Sequence, residues 1–182
     1  MKKNILVSTL FALISVSAFA ENPSFDYIDA GYSNWDPDGS ISKIDGFELK
    51  FSKSVNDNYY IAGDFNRVTQ YGNALNFSTL GFGYMNAFSE KSTFFAELDY
   101  AYSDASPGTS ENGFEFTTGV RSMVTEQFEL KGAIEHLNFD GSDRTSVVLG
   151  GVYSFNENFA IYLDYKFESD LNRMAAGLRY NF

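Results

Sequence analysis

Cysteine is absent from the 182 residues, proline occurs three times, and histidine and tryptophan once each. Without cysteine the chain has no disulfide, no thiolate metal site and no cysteine nucleophile. No run after residue 20 approaches the roughly eighteen uninterrupted apolar residues of a membrane-spanning helix, so a helical membrane protein is excluded. Bases are scarce as well: 13 Lys+Arg face 24 Asp+Glu, and the net charge of -11 argues against nucleic acid as a partner. The length leaves room for one domain.

What is present begins with MKKNILVSTLFALISVSAFA. Lys2 and Lys3 precede an apolar stretch from Ile5 to Phe19, and Ala18-Phe19-Ala20 is a small-x-small cleavage site. This reads as a secretory signal peptide over 1–20, followed by a single domain over 21–182. Removing the leader takes two bases and no acid, leaving 11 bases against 24 acids and a charge of -13.

The remaining chain alternates with period two over about ten residues at a time. From Thr93 to Asp104, Phe94, Ala96, Leu98, Tyr100 and Tyr102 share one face, and Phe95, Glu97, Asp99, Ala101 and Ser103 share the other. The same test predicts strands near 25–34, 44–54, 59–68, 75–85, 93–104, 113–124, 128–138, 145–154, 159–168 and 171–182. Within 75–85 the parity breaks: Leu80, Phe82 and Tyr84 form one stripe while Leu75 and Phe77 fall opposite, predicting a bulge near Ser78-Thr79 or an inward Phe77. Every second connection repeats an apolar residue followed by three polar ones: Val55-Asn56-Asp57-Asn58, Phe88-Ser89-Glu90-Lys91, Val124-Thr125-Glu126-Gln127 and Phe155-Asn156-Glu157-Asn158. Such a near-period marks a repeated hairpin unit. The other connections carry Trp35-Asp36-Pro37-Asp38-Gly39, Ser106-Pro107-Gly108 and Asp140-Gly141-Ser142-Asp143, and are expected to be longer loops.

The apolar face could point into a soluble core or out into lipid. Ten residues rising about 3.4 Å each at a tilt near 40° span roughly 26 Å, the height of an outer-membrane barrel's apolar band. Aromatics gather at the strand ends as two expected girdles: Tyr32, Trp35, Tyr100 and Tyr102 at one level, Tyr59, Tyr84, Phe128, Tyr153, Phe159 and Tyr180 at the other. Gly31, Gly81, Gly83, Gly119 and Gly177 stud the charged face, which suits a crowded, curved interior. The reading is an all-β, single transmembrane antiparallel up-and-down β-barrel of ten strands, with eight as the alternative. Both termini and the tight turns are expected in the periplasm of a Gram-negative bacterium.

The terminal Ala175-Ala176-Gly177-Leu178-Arg179-Tyr180-Asn181-Phe182 resembles the C-terminal β-signal by which outer-membrane barrels are assembled. Gly177, Tyr180 and Phe182 match it, whereas Ala175 departs at the polar position. Together with Tyr27-Ile28-Asp29-Ala30-Gly31-Tyr32, the Gly46-Phe47-Glu48-Leu49-Lys50 strand and the Phe155-Asn156-Glu157-Asn158-Phe159 turn, the chain resembles a family of small porin-like outer-membrane β-barrel proteins, some of which carry a quorum-factor label. The resemblance implies location, fold, and dealings with periplasmic chaperones and the barrel assembly machinery; it transfers no active site.

Turned inward, the charged face presents Asp29, Glu48, Asp64, Glu97, Asp99, Glu115, Glu129, Glu135 and Asp164 with Lys50, Arg121, Lys131, Lys166, Arg173 and Arg179. The expected result is a salt-bridged plug, because buried charges must be paired or hydrated; the alternative is a narrow, cation-preferring passage. His136 lies on the apolar stripe of 128–134 with Asn at position 138 and no serine partner, so a lipid- or peptide-modifying enzyme ranks last. Asp36-Pro37-Asp38-Gly39-Ser40 lacks the later bidentate glutamate of a calcium loop. No cofactor or metal is expected. Loop carboxylates Asp36, Asp38, Asp140, Asp143, Glu168 and Asp170 are placed to meet lipopolysaccharide through divalent ions, and Trp35 and Tyr71 to contact other molecules. The function read is that of a non-enzymatic, monomeric structural or surface-interaction barrel. Deleting Phe182 should abolish outer-membrane assembly, read as loss of the heat-modifiable gel shift; normal insertion of the truncated chain would remove its role as an assembly signal.

Overall fold

The computed structural model describes residues 22–37, 43–106, 108, 110–139 and 141–182. The expected leader, Asp38 to Ser40 of the acidic loop, Pro107 and Asp140 lie outside the described residues. Ten strands follow in order: β1 (Tyr27–Pro37), β2 (Ile44–Ser54), β3 (Tyr59–Gln70), β4 (Asn73–Ala87), β5 (Ser92–Ser106), β6 (Ser110–Met123), β7 (Phe128–Phe139), β8 (Ser142–Ser154), β9 (Phe159–Phe167) and β10 (Leu171–Asn181). Each pairs antiparallel with its neighbours in sequence, and β10 closes on β1, so the wall is a ten-stranded up-and-down barrel and the eight-stranded alternative falls away.

The registers determine the barrel's width. A line of paired residues runs from Tyr27 through Ser52, Ala62, Gly81, Asp99, Glu115 and Leu137 to Arg144. Carried on across β9 and β10, it returns to β1 twelve positions above Tyr27, a shear of twelve. Ten strands with that shear tilt by about 40° and form a backbone cylinder of about 10 Å radius. Outward apolar residues run over nine positions on β5 (Phe94 to Tyr102) and β9 (Phe159 to Phe167), a belt of roughly 23 Å at that tilt.

The four tight turns share one mechanism. Their second residue is always a short side-chain acceptor, and Asn56 Oδ1 takes the backbone N–H groups of Asn58 and Tyr59 at 2.9 and 3.0 Å. Thr125 does the same for Gln127 and Phe128, and Asn156 for Asn158 and Phe159. The fourth residue's carbonyl then accepts a backbone N–H from the next hairpin: Asn58 from Met85, Lys91 from Met123, Gln127 from Ser154 and Asn158 from Asn181. The turns are therefore continuous with the wall's ladder.

One expectation is corrected at the other end. Two of the connections there are not long loops: β3 and β4 meet through Tyr71 and Gly72 alone, with φ of 50° and 84°, and β7 and β8 are joined by two positions, with Gly141 at 92°. Left-handed backbone at Tyr71, Gly72 and Gly141 permits tight hairpins, and polar segments such as 103–106 and 110–112 satisfy their backbone groups by extending the strands. Nor does β4 bulge. Its pairing with β3 and β5 is unbroken through Ser78 and Thr79, and Phe77 instead turns inward and is buried. The orientation expected from the sequence puts Ser142 outside the cell and Asn156 in the periplasm. Ser142→Cys should label with an impermeant maleimide on intact cells and Asn156→Cys should not; the reverse pattern would invert the topology.

Candidate functional site: the barrel lumen

Every second residue of each strand faces a lumen narrow enough that side chains from opposite walls touch, and the lumen divides into three layers. Nearest the tight turns, Arg179 on β10 donates through Nε and Nη2 to both oxygens of Asp29 on β1 at 2.7 and 2.8 Å, directly across the closing seam. Arg121 on β6 clamps Glu129 on β7 in the same way at 2.6 and 2.9 Å. Tyr27 presents its ring to both guanidiniums, 3.7 Å from that of Arg179 and 5.5 Å from that of Arg121. Phe25, from the segment before β1, enters the same layer: it lies 4.8 Å from the Tyr60 ring and beneath Arg121 at 4.4 Å, in an apolar cluster with Met85, Phe95 and Val148. Asp26 anchors this segment. It accepts from Ser54 N–H at 2.6 Å and Lys53 at 3.0 Å, and although burial raises its carboxyl, these partners hold it below the usual range.

The middle layer is charged. Lys50 bridges Glu48 at 2.7 Å and Asp164 at 2.8 Å, Lys131 adds a second cation to Asp164 at 3.0 Å, and Lys166 meets Glu135 at 2.6 Å. Asn66 and Tyr162 complete the shell of Glu48. Along β3, β5 and β6, Asp64, Glu97, Asp99 and Glu115 make no ion pair among the described residues. Asp99 and Glu115 stand directly opposite on β5 and β6, with both oxygens of Asp99 and Oε2 of Glu115 buried and without hydrogen-bond partners. A central cavity of about 120 Å³, lined by Asp64, Glu97 and Glu115, has room for several waters to hydrate this wall. Glycine makes the crowding possible: a Cβ at Gly83 would strike the Tyr60 ring, and one at Gly31 the Tyr162 hydroxyl.

The third layer, at the far mouth, is apolar. Trp35, Val68, Phe77, Ala101, Leu137 and Phe139 pack together with Ile44, Leu75 and Leu171. Trp35 was expected outside among the girdle aromatics; its parity on β1 is that of Asp29 and Ser33, so it faces inward at 4% exposure and donates to Ser33 Oγ at 3.0 Å. Glu168, expected among the loop carboxylates, also turns inward, to Arg173 at 2.8 Å and Arg144 at 3.7 Å. The others divide: Asp36 pairs with Lys43, Asp143 meets Asn138, and Asp170 meets Ser169.

The nine girdle aromatics other than Trp35 lie on the outward parity. Tyr59 packs on Tyr84 at 5.6 Å, Phe159 on Tyr180 at 5.3 Å and Tyr100 on Phe114 at 6.0 Å. Of the terminal triad, Tyr180 and Phe182 face outward and Gly177 pairs with Gly31 across the seam. His136 also faces outward, and its neighbour is a residue the sequence reading did not consider: Thr145 Oγ1 is 2.9 Å from its Nδ1, brought there by the β7–β8 register. No carboxylate orients this pair among the contacts of the described residues, and no group of three potential ligands that could hold a metal occurs among them. Replacing Arg179 by Met should leave Asp29 buried without its cation and destabilise the refolded barrel by about 3–5 kcal/mol, lowering the urea midpoint read by Trp35 fluorescence, with much of the loss recovered when Asp29→Asn is added. An unchanged midpoint would deny the seam pair a structural role.

No protein-family model and no curated protein matches the chain. Among solved structures it is similar to the KdgM porin in complex with disordered oligogalacturonate, at 12% identity over 86% of this chain and 99% of that one, with a TM-score of 0.52. It is also similar to an outer membrane channel from Pseudomonas putida F1, at 11% identity over 88% and 96%, with a TM-score of 0.54. The chain is built on the porin-like fold of the outer-membrane β-barrels.

Proposed function

We propose that the chain is exported and inserted as a monomer into the outer membrane of a Gram-negative bacterium, where it serves as a non-enzymatic structural or surface-interaction barrel whose lumen is closed to solutes. The observation that carries the closed lumen is its layering. A charged zone lies between an aromatic layer around Phe25, Tyr27 and Tyr60 and an apolar layer around Trp35, Phe77 and Phe139. Between the central cavity and the far mouth lies a small cavity of about 20 Å³ beside Trp35, Lys50, Asp64, Phe77 and Asp164, room for one water. The outward belt, with its aromatic ends, fits insertion into lipid. Gly177, Tyr180 and Phe182 supply the recognition element for the assembly machinery, and Asp36, Asp143 and Asp170 stand where lipopolysaccharide head groups lie. His136 acts as an interfacial residue, with Thr145 as its hydrogen-bond partner.

A narrow cation-preferring channel is the second reading. Four cavities, of about 330, 120, 20 and 210 Å³, follow one another through the lumen and share lining residues, and the unpaired wall of Asp64, Glu97 and Glu115 would favour cations. Recording from the refolded protein in a planar bilayer separates the two. The closed barrel should give no discrete conductance steps in concentrated KCl. Reproducible steps with a cation-selective reversal potential in a salt gradient would replace it with the channel.

A further inference from the structure

The far mouth of the lumen is a cup of about 210 Å³ rather than a flat seal. Trp35, Phe77, Leu137 and Phe139 line it with apolar surface, and Arg144 and Arg173 stand at its β8 and β10 side. An aqueous pore opening has no use for such a lining, since apolar surface held against water is unfavourable in proportion to its area. Concave, mainly apolar walls with a few convergent polar groups describe instead a small-molecule site.

The polar groups say what kind of molecule. Arg144 and Arg173 share one carboxylate, Glu168, at 3.7 and 2.8 Å, so on the β8 and β10 side two guanidiniums face one acid, with Glu111 of β6 elsewhere in the lining. Arg173 is more than nine-tenths buried, its guanidinium stacks on the Trp35 ring at 4.9 Å, and its Nε has no acceptor. A buried donor without an acceptor is rare in folded proteins, and this one belongs to a side chain lining the cup. Arg144 is half-exposed, with its terminal nitrogens unengaged by Glu168.

We infer that the cup binds a small apolar monocarboxylate. Its ring or short chain lies against Trp35, Phe77 and Phe139, and its carboxylate receives hydrogen bonds from Arg173 Nε and the Arg144 guanidinium, the charge-assisted geometry in which arginine excels. The two guanidiniums exclude cations, while Glu111 in the lining and Glu168 beside it disfavour a dianion such as phosphate. The volume lies below the roughly 300 Å³ at which drug-sized sites begin, which limits the body to one ring or a few methylenes. With the topology proposed above, the ligand enters from outside the cell.

Trp35 is the chain's single tryptophan and sits in the cup, so it reports on occupancy directly. The refolded barrel in detergent micelles, where neither mouth is privileged and an inverted topology changes nothing, is titrated with benzoate, with acetate as the head without a body, and with benzyl alcohol as the body without a charge. Equilibrium dialysis of labelled benzoate gives an independent reading. Benzoate should change Trp35 emission saturably with one site per chain, and acetate and benzyl alcohol should bind at least tenfold more weakly. Arg144→Gln, a change at a half-exposed side chain, should weaken benzoate at least fivefold while the heat-modifiable gel shift is retained. The inference is overturned if benzoate is neither retained in dialysis nor seen by Trp35, if acetate or benzyl alcohol matches it, or if Arg144→Gln binds as wild type does. A conducting lumen in the bilayer would leave each of these outcomes readable.

Discussion

Closure of β10 on β1 at a shear of twelve is the constraint from which the interior follows. A closed wall leaves no backbone edge unpaired, which is the condition for a sheet to reside in lipid. The same closure sets a radius of about 10 Å, so inward side chains of ordinary length meet near the axis and cannot avoid one another. The Arg179–Asp29 pair lies on the seam itself, joining residues 150 apart in the chain. It gives the last strand and the first a specific, directional contact in addition to the ladder they share.

Within that fixed width, charge is distributed unevenly. On the walls of β1, β2 and β7 to β10 nearly every carboxylate has a cation: Asp29 with Arg179, Glu129 with Arg121, Asp164 with Lys50 and Lys131, Glu135 with Lys166. The wall of β3, β5 and β6 carries acids that cations do not reach. Burial of like charges is tolerable at Asp64, Glu97 and Glu115 because the central cavity borders them with space for water. The aromatic layers above and below keep that polar zone from opening to either side, so the plug consists of two apolar layers around a wet, charged middle. A lumen filled by salt bridges alone would need complementary charges on every wall, and this chain has 13 bases for 24 acids.

Much of the fold was legible because its signals are local. Alternation of period two places ten strands within a few residues of their observed bounds, and the recurring turn places the four hairpins, whose Asn56, Thr125 and Asn156 caps are built from residues two and three apart. The sequence reading failed where a local sign was ambiguous. Trp35 reads as a girdle aromatic from its type and its nearness to a loop, yet its parity with Asp29 turns it inward. Glu168 reads as a loop acid, yet Arg173 and Arg144 draw it into the mouth. Phe77, by contrast, turns inward as one of the two sequence alternatives had it, and no bulge restores the stripe.

By itself the sequence determined which residues form strands, which face of each strand is apolar, and where the tight turns lie, because each of these depends on neighbours a few positions apart. It also named the charges that face the lumen. Their partners were decided only by the tertiary structure. Lys50 and Asp164 are 114 residues apart and meet across the barrel, and small offsets of register between successive strands accumulate around the wall before setting which level faces which. The cup formed by Trp35, Phe77, Phe139 and Arg173 has the same origin: four residues from four strands share one level through the shear, a sum over the whole circuit that no stretch of the chain contains.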